Sequence, residues 1–261
     1  MDETQSPLPV KGRGAVSNHT GRFEPHERQA ADDGWDLDDP DVTPLRTQVT
    51  FETPRTIIAR NTSPDIPFDR SINPYKGCEH GCVYCFARPS HAYMGLSPGL
   101  DFESRLFAKP NAAALLEREL SKPSYRPRTM HLGSNTDPYQ PIEKTHRITR
   151  GILDVLSAFN HPVSITTKSA MVCRDIDVLA PMAAKGLVNV ALSLTSLDNK
   201  LARALEPRAP TPQKRLDAMA TLTSAGIPVA VMAAPMIPVL NDAELERILE
   251  RAAEHGALAA G

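Results

Sequence analysis

The chain reads as an α/β protein built on a parallel sheet, and three observations predict this. Short apolar runs recur at residues 129–132, 163–167, 188–194 and 229–233. Segments with helical spacing of apolar residues lie between them, and glycines and prolines punctuate the joints. Alternating strands and helices imply parallel strands covered by helices. Runs this apolar predict strands buried on both faces. Right-handed crossovers then curl the sheet toward a (β/α) barrel or a doubly wound sheet.

The elements follow in order. Residues 1–60 are polar, charged and turn-rich, as in Lys11-Gly12-Arg13-Gly14 and the acidic stretch 32–41. Such a segment buries too little surface to offset its ordering entropy, so a flexible or draped extension is expected. Short apolar patches at 49–51 and 57–59 would anchor its end to a main domain over 61–261. The first strand ends near Tyr75, and a helix over 112–120 sits in the long connection to the second. Ile148, Ile152, Val155, Leu156 and Phe159 line one helix face. Ile176, Leu179 and Met182 form another stripe, with Pro181 as a kink and Gly186 as a stop. A further helix has Thr211 as N-cap, Pro212 at its first position and Gly226 past its end. The last runs from Asn241 or Asp242 to His255, with Glu244 near capping-box spacing. A sixth strand would only be starting at 257–261, so the chain reads as truncated before it.

Composition narrows the function. A net charge of −2 gives no general ground for a nucleic-acid, membrane or polyacid partner. The polar start lacks a signal core, and no apolar run reaches the roughly 18 residues of a membrane span. Three of the four cysteines are clustered, which reads as metal binding in a reducing compartment rather than a disulfide scaffold. A soluble, cytoplasmic protein is expected.

The cluster is Cys78-x3-Cys82-x2-Cys85, in a loop after the first strand. In a βα barrel, reactive groups gather at that end of the strands. Thiolates are soft ligands suited to an iron–sulfur cluster or to zinc. Three thiolates leave one iron of a cube without a protein ligand. Zinc would need a fourth ligand from His80, His91 or Cys173, and a redox thiol group is the third alternative. Cys173 alone reads as a buried apolar cysteine, and His131 as a core histidine with a backbone partner.

Cys-x3-Cys-x-aromatic-Cys after a first strand resembles the radical S-adenosylmethionine (radical SAM) superfamily. Residues 70–87, 133–142, 166–169, 193–210 and 234–242 are similar to the branch containing spore photoproduct lyase and its bacterial relatives, and residues 11–24 are familiar from them too. The resemblance covers roughly residues 50–256. It implies a partial, TIM-like (β/α) barrel of the radical SAM type. It implies a [4Fe-4S] cluster on Cys78, Cys82 and Cys85, whose open iron is chelated by S-adenosylmethionine. It also implies reductive cleavage to a 5′-deoxyadenosyl radical that abstracts a hydrogen atom from an unknown substrate. An electron donor such as ferredoxin or flavodoxin is implied, and nucleic acid enters only by family analogy.

Residue roles follow from the same resemblance. Tyr84 packs at the adenine, against the alternative of a ring tucked under the loop. Gly77 and Gly81 let the loop bend where side chains would clash with a cluster. Lys76 and Arg88 bring positive charge, or are simply exposed. Thr136 and Asp137 hold the methionyl amine, against a polar turn closed by Pro138. Lys168 binds the methionyl carboxylate or ribose oxygens, Ser193 contacts the ribose, and Arg208 takes the carboxylate or pairs with Glu206. Two departures from the branch stand out. No cysteine lies between Cys85 and Cys173, where spore photoproduct lyase carries a hydrogen donor, and Val239 stands where relatives usually carry glycine. A zinc-binding scaffold and an inactive cluster-binding fragment are the competing readings.

Overall fold

The computed structural model describes residues 10–26 and 45–261; the acidic stretch 32–41 lies outside them. The principal sheet has seven strands, in the order β10-β9-β8-β7-β6-β3-β2. These are β2 (Ala59–Arg60), β3 (Arg70–Ile72), β6 (Met130–Leu132), β7 (Val163–Thr167), β8 (Val188–Ser193), β9 (Val229–Met232) and β10 (Ala259–Ala260). All neighbours pair in parallel except β2, which is antiparallel to β3. From β3 to β10 the order never reverses, so the switch point of a doubly wound sheet is absent from the described residues. The helices between the strands are α2 (Ala112–Leu120), α3 (Glu143–His146), α4 (Ile148–Ala158), α5 (Ile176–Ala183), α6 (Asn199–Leu205), α7 (Pro212–Ser224) and α8 (Leu245–Glu254). Successive right-handed crossovers in one direction bring the crossover helices to one face. There α2 packs on α4, α4 on α5 and α7 on α8.

The expected first strand is two strands. After β3, Asn73-Pro74 interrupts the ladder because proline has no N–H to donate. Tyr75–Lys76 (β4) then leaves the principal sheet and pairs antiparallel with β5 (Arg105–Ala108). Strand β1 (Gln48–Phe51) pairs in parallel on the other side of β5, giving a small second sheet, and α1 (Leu100–Ser104) leads into β5. Neither β5 nor α1 carries a clear periodic pattern.

The strands are less covered than expected. In β7, Val163, Ile165 and Thr167 are buried, whereas Ser164 and Thr166 are half-buried. One face packs into the helices, with Ile165, Val190 and Val231 against a core that includes Ile152, Leu216 and Ile248. The other face is open enough to border a cavity.

Several local expectations change for physical reasons. Thr211 stands at the start of α7 with extended backbone, but its side chain makes no capping bond. The capping box before α8 does not form: Glu244 turns to the Ser196 hydroxyl and Leu197 N–H, and Asn241 binds Ile237 N, Thr195 O and Pro235 O. Residues 242–244 form a 3-10 turn instead. Phe159 caps α4 half out in solvent, while Leu153 takes its place in the core. Cys173 lies in the 3-10 segment Ala170–Asp175, half-buried against the core.

His131 does not find a backbone partner. Its Nδ1 lies 2.8 Å from Ser164 Oγ, and its ring stacks on Phe68 at 4.2 Å. Burial pushes it down from 6.5 to about 4. Between those values the unfolded chain takes the proton and the folded chain does not. The neutral ring's contribution is therefore complete above 6.5 and is lost as pH falls toward 4. Denaturation at both pH limits should show the wild type losing about 2–3 kcal/mol more than His131→Gln; parallel losses would refute the assignment.

Val239 adopts a left-handed backbone (φ 70°) with its side chain 97% exposed. A β-branched residue is strained there, and no packing compensates. Val239→Gly should raise unfolding stability by about 1 kcal/mol in urea melts; a loss would show that the side chain has a stabilising role.

Candidate functional site

The cysteine loop follows β4 directly and has no regular structure, so its buried backbone groups need partners from elsewhere. Gln140, fully buried, accepts from Glu79 N at 3.0 Å and donates to Gly77 O at 2.9 Å. Cys78 N donates to Phe102 O, Val83 N to Leu205 O, and Arg208 N to His80 O. The Arg88 guanidinium donates to Cys82 O (3.0 and 2.8 Å) and to Glu103 at 2.6 Å. Arg88 thus braces the loop from behind rather than facing the cavity, and Lys76 pairs with Glu52 at 2.8 Å.

Gly77 and Gly81 both have positive φ, but the crowding that excludes a side chain comes from the protein. A Cβ on Gly77 would lie 2.6 Å from Leu106 and 2.8 Å from Phe102 O; one on Gly81 would lie 2.7 Å from Glu103.

Cys78, Cys82 and Cys85 are free thiols that line one cavity of about 170 Å³. His80, Tyr84, Phe86, Asn135, Thr136, Asp137, Thr166, Thr167, Lys168 and Ser193 share the lining. They come from the cysteine loop and the carboxyl ends of β6, β7 and β8, where a βα sheet collects reactive groups. Of the candidate zinc ligands, only His80 reaches this lining. His91 Nε2 lies 2.9 Å from Arg105 O, and Cys173 Sγ faces Ala218 O at 3.7 Å.

Electrostatics divide the wall. Burial pushes the Cys78 thiol well up and the Cys82 thiol to about 12, with Lys168 opposing the latter. Burial also raises Asp137, but the His80 ring and donors from Lys168 N and Thr167 outweigh it and hold the carboxyl at about 2. Its oxygens accept from Thr167 Oγ1 (2.6 Å), Tyr139 N (2.8 Å) and Lys168 N (2.7 Å), and His80 Nδ1 lies 3.3 Å away without hydrogen-bond alignment. Asp137 therefore ties the β6 and β7 loops together. Thr136 lines the cavity, yet its hydroxyl donates to Tyr75 O.

In the same lining, Lys168 Nζ donates to Ser193 Oγ at 2.9 Å, lies 5.7 Å from the Tyr84 ring centroid and 3.6 Å from Glu206. Glu206 is fully buried and also accepts from Tyr84 OH, Thr195 Oγ1 and Arg215. Burial raises it, but Arg215 first and Lys168 second hold it at about 2. Arg215, the largest fully buried side chain, further donates to Pro210 O and Ser193 O. The expected role of Arg208 at a cofactor carboxylate, and its alternative of pairing with Glu206, both change: Arg208 faces Glu79 at 3.2 Å and is not in the cavity lining. Sequence reasoning missed Arg215 and Gln140. Arg215 sits on the buried stripe of α7, one residue before Leu216, and an arginine on a core face was the available signal.

The cavity fits a metal cluster by its donor set: three soft, free thiols on one loop, Cys78 and Cys82 buried and Cys85 half-buried. A bound metal reverses the tendency of such thiols to stay protonated. Among the described residues, no three His, Cys, Asp or Glu side chains converge to hold a single metal ion. A cluster would take one thiolate on each of three irons.

Fold and site together define an α/β protein that presents three loop thiols at the carboxyl ends of parallel strands. Residues 72–252 match the radical SAM superfamily, and the chain belongs to it. Uncharacterised proteins of Mycobacterium bovis and Mycobacterium tuberculosis are 41% identical over 214 residues, covering 80% of this chain and 63% of each relative. An uncharacterised protein of Methanocaldococcus jannaschii is 32% identical over 173 residues, covering 66% of this chain and 62% of its own. The chain thus spans less than two thirds of the length of these relatives. A spore photoproduct lyase mutant with bound AdoMet and dinucleoside spore photoproduct shares the fold, with a TM-score of 0.57, 15% identity, and coverage of 79% of this chain and 57% of that one. Among the described residues, no helix is long and apolar enough to cross a membrane.

Arg215→Met strips the buried Glu206 of its main partner. It should cost about 3–5 kcal/mol in denaturant unfolding; a loss below about 1 kcal/mol would show that Arg215 is not what keeps Glu206 ionised.

Proposed function

We propose that this chain is a radical SAM enzyme whose Cys78, Cys82 and Cys85 hold a [4Fe-4S] cluster. The observation that carries this reading is that three free thiols, two buried and one half-buried, line one cavity within a superfamily-matched segment. The sheet reads as the arc of a partial barrel, since its parallel strands succeed one another without reversal. When bound, the cluster supplies one electron, from a donor such as ferredoxin or flavodoxin, for cleavage of S-adenosylmethionine to a 5′-deoxyadenosyl radical that abstracts a substrate hydrogen atom.

The residues divide that work. The thiolates bind, and the loop's backbone clamps fix their spacing. Lys168 presents its ammonium to the cavity with one donor on Ser193 and its Glu206 contact longer than a hydrogen bond, so it retains capacity for an anion such as the methionyl carboxylate. The Tyr84 ring and the β6-loop residues Thr136 and Asp137 form the wall against which the adenine and methionyl amine would lie. Asp137 is held ionised, the state an ammonium partner requires. Ser193 lies beside Lys168, within reach of a ribose in that pose. Arg208, pointed at Glu79, would act on the loop rather than on the cofactor.

Anaerobic reconstitution with iron and sulfide should give a brown protein. Its reduced paramagnetic resonance spectrum should change on adding S-adenosylmethionine; a colourless protein with one zinc per chain would sink the proposal. Cys82→Ala should abolish cluster assembly, and full iron content would contradict the ligand assignment. Lys168→Ala should keep the cluster and weaken cofactor affinity about tenfold or more, as expected for one charge-assisted contact; unchanged affinity would remove Lys168 from the binding set.

A further inference from the structure

Residues 10–26 lie outside the span matched to the superfamily, yet they touch the back of the cysteine loop. Gly14 N and Ala15 N donate to the two carboxylate oxygens of Glu103 at 2.9 and 2.8 Å. The same carboxylate, wholly buried, receives Arg88, whose guanidinium holds Cys82 O. A continuous chain therefore runs from the backbone of the segment through Glu103 and Arg88 to a cysteine carbonyl. Arg13, 8% exposed, donates to Glu103 O at 2.6 Å, to Leu45 O at 2.9 Å and to Thr47 Oγ1 at 3.1 Å. Thr47 in turn donates to Glu79, the residue after Cys78. Asn18 and Asp101 exchange two hydrogen bonds, and Ser97 Oγ donates to His19 O. The approach is close: a Cβ on Gly14 would lie 1.8 Å from Gly81 O, a backbone atom of the loop itself.

We propose that residues 13–18 are a clasp on the cysteine loop. Arg13, Gly14 and Glu103 are its positioning residues, and they hold Cys78, Cys82 and Cys85 in the arrangement that faces the cavity. The clasp works through bonds that stabilising a hydrophobic core would not require. Two strongly charged side chains are buried to tie irregular backbone to irregular backbone, and the bonds end on the loop at both Glu79 and Cys82. Its importance for metal binding rests on the reading of these thiols as ligands; its existence does not.

The test uses the reduced, metal-free full chain and iodoacetamide, with each cysteine followed by mass spectrometry. Cys173, remote from the clasp, serves as internal reference. Cys78 and Cys82 are buried and react through local opening, so weakening the clasp should raise their alkylation relative to the half-buried Cys173 by about tenfold in Arg13→Ala and in Gly14→Ala. Arg13→Lys, which keeps a donor, should recover part of the protection. Loop-thiol ratios within about twofold of wild type in both alanine variants would overturn the proposal, as would Cys173 rising in step, which marks general unfolding. Should Gly14→Ala fail to fold, the two Arg13 variants decide alone. Failure of the wild type to assemble a cluster would remove the ligand reading but leave the thiol ratios intact, so the two failures are distinguishable.

Discussion

The constraint on which this structure rests is the need to satisfy the backbone of a buried, irregular loop. The loop that presents three thiols to one cavity is irregular: a helix would carry Cys78, Cys82 and Cys85 on one face but string them over about 10 Å, and a strand would put Cys85 on the opposite face from the other two. Its amides and carbonyls are nonetheless out of solvent, where an unpaired group costs about 1–3 kcal/mol. The protein meets this with donors and acceptors from separate elements: Gln140 after β6, Phe102 in α1, Leu205 in α6 and Arg88 in the following turn. Much of the surrounding polar structure exists to hold those four in place. The departure of β4 from the principal sheet belongs to the same solution, because it directs the chain toward β5 and α1.

The second feature is a pair of carboxylates shielded from solvent, Asp137 in the cavity lining and Glu206 behind Lys168 and Tyr84. Asp137 is stabilised almost entirely by neutral donors and one histidine contact, and it links the β6 and β7 loops. Glu206 relies on a full countercharge, Arg215, and links α6, α7 and β8. Buried ion pairs are poor sources of net stability, since desolvation offsets most of the attraction. Their value here is geometric. Each carboxylate fixes the direction of a group that reaches the cavity: Asp137 the backbone of Lys168, Glu206 the Tyr84 hydroxyl.

The sequence made the fold legible where information is local and periodic. Strands β6 to β9 and helices α2, α4, α5 and α7 announced themselves by apolar spacing and by glycine or proline at their ends. The cysteines were legible because all three fall within eight residues, so their chemistry survives without knowledge of the fold. The rest depends on contacts between distant segments. Glu103 lies far along the chain from Gly14 and Ala15, and neither partner carries a pattern that signals the other. The pairing of Glu206 with Arg215 rather than Arg208 is equally invisible, because both arginines are near in sequence and only the turn into α7 decides which one points inward. The false capping box at Asn241 fails for the same reason: a tertiary acceptor, Ser196–Leu197, outcompetes the local one for Glu244.

These arrangements converge on Lys168. Its ammonium sits among a hydroxyl, an aromatic face and a carboxylate already neutralised by Arg215. Taken with Glu206 and Arg215, the group carries one net positive charge. The Lys168 side chain is only 17% exposed, in the lining of a cavity it shares with the three thiols and Asp137. Glu206 lies 3.6 Å from the ammonium, beyond hydrogen-bond length, and so does not saturate it. The Lys168 ammonium therefore keeps donor capacity within the cavity that the three thiols line. Of the two carboxylates, Asp137 lines the cavity itself, whereas Glu206 acts on it from behind, through Lys168 and Tyr84.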